Sequence, residues 1–124
     1  MAVLCFESWY LGLFCGLIIS TPMKKVQKQV DEWVKQYKIG YFKPLEILAR
    51  LMEEVGELAR EINHTFGPKK KKATENEKEI GDEIGDIIFT LTCLANSLKI
   101  DLDKSFKGVM SKLYKRDGDR WKKK

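Results

Sequence analysis

Apolar side chains recur along most of this chain at three- and four-residue steps, the period of a helix with one buried face. Val26, Val30, Trp33, Val34 and Tyr37 predict a first helix over roughly 23–38 that ends before Gly40. Gly40 tolerates positive φ and Pro44 suits a first helical turn, so 39–44 reads as a connector. Leu45, Leu48, Leu51, Met52, Val55, Leu58, Ala59 and Ile62 form one broad stripe, giving a second helix through about His64 that Gly67-Pro68 stops. Thr74 with Glu77 three residues on reads as a capping box opening a third helix over about 75–99, with Ile80, Ile84, Ile87, Ile88, Leu91, Leu94, Ala95 and Leu98 inward. Asp101 or Asp103 caps a fourth helix carrying Phe106, Val109, Met110 and Leu113, which Asp117-Gly118 ends. No strand alternation competes. The expected fold is all-α, a four-helix antiparallel bundle. The apolar arcs of helices two and three exceed ~100°, more than two neighbours cover, which predicts a homo-oligomer.

Residues 1–22 read differently. Trp9–Ile19 is an apolar run, Glu7 is the segment's one charge, and the basic start of a secretory signal is missing. A spanning helix needs ~20 apolar residues, and Gly12, Gly16 and Pro22 break this one. Met23-Lys-Lys-Val-Gln-Lys resembles an ordinary cytosolic start. We therefore expect 1–22 to be an extension outside the domain, 23–121 to be the domain, 122–124 a basic tail, and the location cytoplasmic; a membrane or partner anchor, or a packed segment, are the alternatives for 1–22.

Composition narrows the chemistry. The 124 residues suit one domain, and 33% charged with 44% hydrophobic residues suits a folded helical protein rather than a disordered one. Net charge is +5, but acids concentrate between Glu46 and Asp86 while bases gather in Lys69–Lys72 and after Lys104. Lys69–Lys72 reads as a solvated connector, with a phosphate or nucleic-acid contact as the alternative. Cys5, Cys15 and Cys93 have no C-x-x-C spacing, which argues against a disulfide framework or a zinc cage. His64 is the one histidine, so multi-histidine metal sites are excluded and any metal must be held by oxygen.

The informative residues are Glu53, Glu54 and Glu57 on the second helix and Glu79, Asp82, Glu83 and Asp86 on the third. Residues three apart on a helix differ by only ~60°, so Glu54 with Glu57, and Glu83 with Asp86, each project from one face a turn apart. Glu54 lies ~40° beyond Leu58 and Glu83 ~40° beyond Ile87, at the edge of each apolar stripe, so the two pairs can face each other. Stacked like charges repel by roughly a few tenths of a kcal/mol when exposed and by more when partly buried. A hard divalent cation such as Mg²⁺ or Mn²⁺ offsets this and leaves positions open for water and phosphate. The competing reading is a solvated acidic face paired with lysines.

Glu53-Glu-Val-Gly-Glu57 resembles the E-E-x-x-E element, and Glu83-Ile-Gly-Asp86 the E-x-x-D element, of the MazG-like all-α nucleoside triphosphate pyrophosphohydrolases. The similarity runs from about Met23 to Trp121. It implies cleavage of a (d)NTP to the monophosphate and pyrophosphate in nucleotide-pool house-cleaning. It also implies Mg²⁺, with Mn²⁺ as substitute, held by Glu54, Glu57, Glu83 and Asp86. Glu53, Glu54 and Glu57 are then the catalytic candidates, with Glu53, ~100° round from Glu54, orienting water or acting on the surface. Glu79-Ile-Gly-Asp82 repeats the E-x-x-D spacing one turn earlier; the resemblance favours Glu83 and Asp86, because Asp86 directly precedes the apolar run as in the family, and leaves Asp82 a candidate for supporting the metal ligands. His64 falls where relatives place an aromatic residue against the base; a surface helix end is the alternative. Thr90 and Cys93 occupy positions where some relatives have Tyr and Asn, so the base pocket departs from theirs. Tyr41 and Phe42 close the pocket or pack in the core, and Lys112, Arg116 and Arg120 resemble a stretch that reaches the outer phosphates. The expected partners are a nucleoside triphosphate and one or three further copies of the chain, without membrane association or a stable nucleic-acid complex. Two other readings differ in class: a non-catalytic module binding nucleotide or nucleic acid through its basic tail, and a membrane-tethered interaction protein.

Overall fold

A computed structural model of the chain describes residues 22–72, 79–118 and 120–121. Among them the secondary structure is helical throughout: α1 Pro22–Val34, α2 Pro44–Phe66, α3 Ile80–Ser97 and α4 Leu102–Asp117. Residues 1–21 and the Thr74 and Glu77 capping box lie outside the described residues, and α3 is seen from Ile80 with Glu79 as its N-cap. No described helix is long and apolar enough to cross a membrane.

The helix ends follow local chemistry. α1 stops at Val34, earlier than its apolar spacing predicts, because the next residues tighten into three-residue turns: Gln36 N–H donates to Trp33 O, Tyr37 N–H to Val34 O and Gly40 N–H to Tyr37 O. Gly40 closes this run at φ +61°, where a Cβ is disfavoured. Pro44 starts α2 as expected, and Glu46 Oε2 accepts the Lys43 N–H at 2.8 Å. Asp101 Oδ1 accepts the Lys104 N–H at 3.0 Å and so caps α4. At the end of α3, Ile100 N–H donates to Ala95 O and Lys99 N–H to Asn96 O, a Schellman closure with Lys99 at φ +56°.

α2 and α3 form the most extensive helix pair, α1 lies on α3, and α4 packs on α1. Polar groups fasten the last two contacts. Gln27 Nε2 donates to Asn96 Oδ1 and to Ile100 O, Asn96 Nδ2 donates to Gln27 O, and the Leu102 N–H donates to Gln27 Oε1. Asp103 of α4 accepts the Lys24 N–H in the first turn of α1 at 3.1 Å, a cap supplied from another helix.

The apolar core is small. Among the described residues Val30, Val34, Ile47 and Ala95 are its buried members, while Met52, Val55, Ile62, Ile84, Ile88 and Leu91, expected inside, are 41–61% exposed. Phe106, Val109 and Leu113 of α4 are also open. The wide apolar arcs thus remain open in the single chain, because periodicity marks which face is apolar and not what covers it.

Lys99 carries a left-handed backbone that costs an L-residue ~1 kcal/mol, so Lys99→Gly is expected to raise stability by about that amount, read from the urea midpoint at unchanged m-value.

Candidate functional site

Helical phase builds the site. Glu54, Glu57 and Glu61 are three and four residues apart on α2 and share one face. That face meets the first turn of α3, where Glu83 is fully buried. Glu54 is 4% exposed and Glu57 partly exposed, and carboxylate oxygens of Glu54, Glu57 and Glu83 lie within 4.8 Å of one another. Three converging carboxylates repel strongly at low dielectric. Two features offset part of this: Arg50 Nε reaches Glu54 Oε1 at 2.7 Å, and Glu83 sits in the first turn of α3, where the helix dipole favours an anion. The donor set is carboxylate oxygen only, with members on two helices, which fits a hard divalent cation.

Asp86, one turn after Glu83, is exposed and stands outside this close group, on the rim of an adjoining cleft of about 1030 Å³. Glu53 is exposed and 3.3 Å from Arg50 Nη1, pointing away from the group as its phase predicts. The cleft opens between α1, α2, α3 and the 39–43 connector. Its apolar wall is Trp33, Tyr37, Tyr41, Phe42 and Phe89, with the Trp33 and Phe89 rings edge-to-face at 5.3 Å. Its polar edge carries Arg50, Glu53, Glu54 and Asp86, and Thr90, 6% exposed, lies deeper. Burial raises the Cys93 thiol pKa. Tyr41 is anchored: its hydroxyl donates to Asp31 Oδ1 at 3.1 Å and accepts from Asn96 Nδ2 at 3.0 Å, and burial above all raises its pKa.

Four expected residues are placed otherwise. The His64 imidazole is only 4% exposed, turned beside Glu61 (Nδ1 to Oε1 4.0 Å) rather than lining the cleft, because its phase follows Glu57 and Glu61 onto the covered side of α2. Lys112, Arg116 and Arg120 are exposed and line no part of the cleft, since α4 packs on α1; Arg116 is held by Asp117 at 2.8 Å. Sequence reasoning passed over Arg50, Trp33, Phe89 and Glu61. The spacing of Trp33 marks it as core, whereas Glu61 is signalled by falling one turn after Glu57.

A family model of the MazG nucleotide pyrophosphohydrolase domain matches residues 42–121. The chain belongs to the MazG family. It is 55% identical over 102 residues to YpjD of Bacillus subtilis (strain 168), an uncharacterized protein, covering 82% of this chain and 92% of YpjD. It is 32% identical over 96 residues to YvdC, also uncharacterized and from the same organism, covering 69% of this chain and 91% of YvdC. Two crystal structures are similar. That of Bacillus subtilis YPJD shares 54% identity with a TM-score of 0.67, over 74% of this chain and 94% of that one. That of the Bacillus-conserved MazG protein, a nucleotide pyrophosphohydrolase, shares 46% identity with a TM-score of 0.68, over 82% of this chain and 99% of that one.

In this MazG-family chain Glu61 closes the acidic row. It is 3% exposed, Lys71 Nζ meets its Oε2 at 2.8 Å, and Arg60 Nε lies 3.6 Å from Oε1. Lys71 chiefly holds the Glu61 pKa below its usual 4.5. A depressed folded pKa contributes stability that is present above the unfolded value and lost as pH falls through the folded one. The difference in melting temperature between wild type and Glu61→Gln is therefore expected to be full above pH 4.5 and to shrink on further acidification, as measured by circular dichroism melts.

Proposed function

We propose that this chain is a divalent-metal-dependent nucleoside triphosphate pyrophosphohydrolase, converting a (d)NTP to the (d)NMP and pyrophosphate in nucleotide-pool house-cleaning. The observation that carries the reading is the convergence of Glu54, Glu57 and Glu83 beside an aromatic-walled cleft. Glu54, Glu57 and Glu83 hold Mg²⁺, or Mn²⁺ in its place, and Asp86 completes the set from the cleft rim. A divalent ion held by these carboxylates would supply charge neutralisation for the triphosphate and a lowered pKa for the attacking water. In the attack, the water oxygen forms the new bond to phosphorus and the bond to the α–β bridging oxygen breaks, releasing pyrophosphate. A carboxylate at the cleft takes the proton of that water, and Glu53 orients it.

The remaining side chains bind and position. Trp33, Tyr41 and Phe89 provide the apolar surface for the base, and Thr90 offers a hydroxyl inside the cleft. Arg50 neutralises Glu54 in the free protein and is available to a phosphate oxygen once a cation replaces it there. His64 supports the far end of the acidic row in place of stacking on the base. The chain acts as a homodimer or homotetramer, in which the open apolar faces of α2, α3 and α4 are covered. Lys112, Arg116 and Arg120 then reach outer phosphates from a neighbouring copy.

Purified protein with Mg²⁺ is expected to release pyrophosphate from at least one dNTP. Glu54→Gln, Glu83→Gln and Asp86→Asn should abolish release without changing helical circular dichroism, and Mg²⁺ should raise the melting temperature of wild type but not of Glu83→Gln. Turnover unchanged in the variants would remove the assignment. Light scattering at micromolar concentration should give a multiple of 14.4 kDa, and a monomer there would refute the assembly.

A further inference from the structure

Along α2 the side chains change character in a fixed order. Ile47 and Arg50 line the aromatic cleft, Glu54 belongs to both the cleft and the carboxylate group, and Glu57 belongs to the group alone. Glu61 lies one turn further, about 10 Å along the axis from Glu54. It leaves the acidic group and faces cations instead: Lys71 at 2.8 Å and Arg60 at 3.6 Å. The row thus runs from an apolar cleft through clustered carboxylates to a positive end.

We propose that Lys71, drawn back onto α2 by Glu61, receives the outer phosphates of the nucleotide and the pyrophosphate released from it. This deepens the pyrophosphohydrolase reading and rests on it for the identity of the substrate. The order of the row matches the order of a nucleoside triphosphate: base in the cleft, the scissile phosphorus at the carboxylates, and the two outer phosphates beyond.

Charge and access support the same assignment. Among the described residues the single Glu61 carboxylate faces two basic side chains, Lys71 and Arg60, so this end of the row is basic where the neighbouring turn is acidic. The Lys71 side chain is 22% exposed, against 4% for Glu61, so an anion from solvent can reach it. An ammonium carries three donors, and Glu61 Oε2 takes one of them, which lets the same group bridge the carboxylate and a phosphate oxygen. Glu61 is then a positioning residue, since it fixes a loop lysine that would otherwise sweep a large volume. Lys69, Lys70 and Lys72, on the same loop, are exposed and add a diffuse field rather than a directed contact.

The test is calorimetric titration of inorganic pyrophosphate, in Mg²⁺, into the full chain and four variants. Lys71→Ala is expected to weaken binding about tenfold, the scale of one lost charge-assisted hydrogen bond, while Lys71→Arg and the loop control Lys70→Ala stay within about twofold of wild type. Glu61→Gln should also weaken binding, although it leaves the ammonium in place. Affinity unchanged in Lys71→Ala or in Glu61→Gln, an equal loss in Lys70→Ala, or no pyrophosphate binding by wild type would each overturn the proposal. A wild type that binds pyrophosphate in this Lys71-dependent way but hydrolyses no nucleotide would leave it standing and remove the enzymatic reading instead.

Discussion

The mutual repulsion of carboxylates packed at the α2–α3 contact is the constraint around which this molecule is arranged. Glu83 has no exposed surface and Glu54 almost none, yet their oxygens share a space of a few ångströms with Glu57. Burying like charges together opposes folding. The chain meets that cost locally with Arg50 against Glu54 and the N-terminal dipole of α3 behind Glu83. It meets it remotely with fastenings that leave the carboxylates alone, the Gln27–Asn96 exchange and the Asp103 cap on α1. A site that strains one helix pair is thus held by polar clasps on the others.

The helices were legible because each carries its own period, and so was the convergence of Glu54, Glu57 and Glu83, which follows from phase relative to the apolar stripes. Depth was less legible. Three-residue spacing sets Asp86 on nearly the same face as Glu83, yet Asp86 is exposed and Glu83 buried, because α2 covers the first turn of α3 and leaves the next at the cleft. The clasps were invisible for a different reason: Gln27 meets Asn96 across 69 positions and Lys24 meets Asp103 across 79, and neither residue pair has a local pattern. Glu61 was passed over although it continued the acidic row, since a glutamate flanked by Arg60 and followed by a lysine loop resembles ordinary surface.

The distribution of apolar surface has a bearing on the assembly proposed above. Among the described residues, four buried apolar side chains make a weak core, while large side chains on α2, α3 and α4 stay open to water. The aromatic-walled cleft is lined by α1, the connector and the inner sides of α2 and α3, on residues distinct from the open stripes of Val55, Ile62, Ile84 and Ile88. Covering those stripes therefore need not obstruct the cleft, so subunit contact and nucleotide entry use different faces of the same two helices.

Setting the cleft-lining Arg50, the carboxylates Glu54 and Glu57, and the Glu61 that holds Lys71 along one helix makes the arrangement sensitive to phase in a way that a motif written in letters conceals. Glu53 and Glu54 are adjacent in sequence, but ~100° of helical rotation sends one to solvent and the other inside. The spacing 54, 57, 61 keeps three carboxylates on one line only while α2 stays unbroken from Pro44 to Phe66. A residue inserted between Glu54 and Glu61 would turn the positive end away from the carboxylate group even if every side chain were kept. What matters for these residues is therefore angular position on a continuous helix, and α2 runs from Pro44 to Phe66 with no proline after its first turn to interrupt that phase.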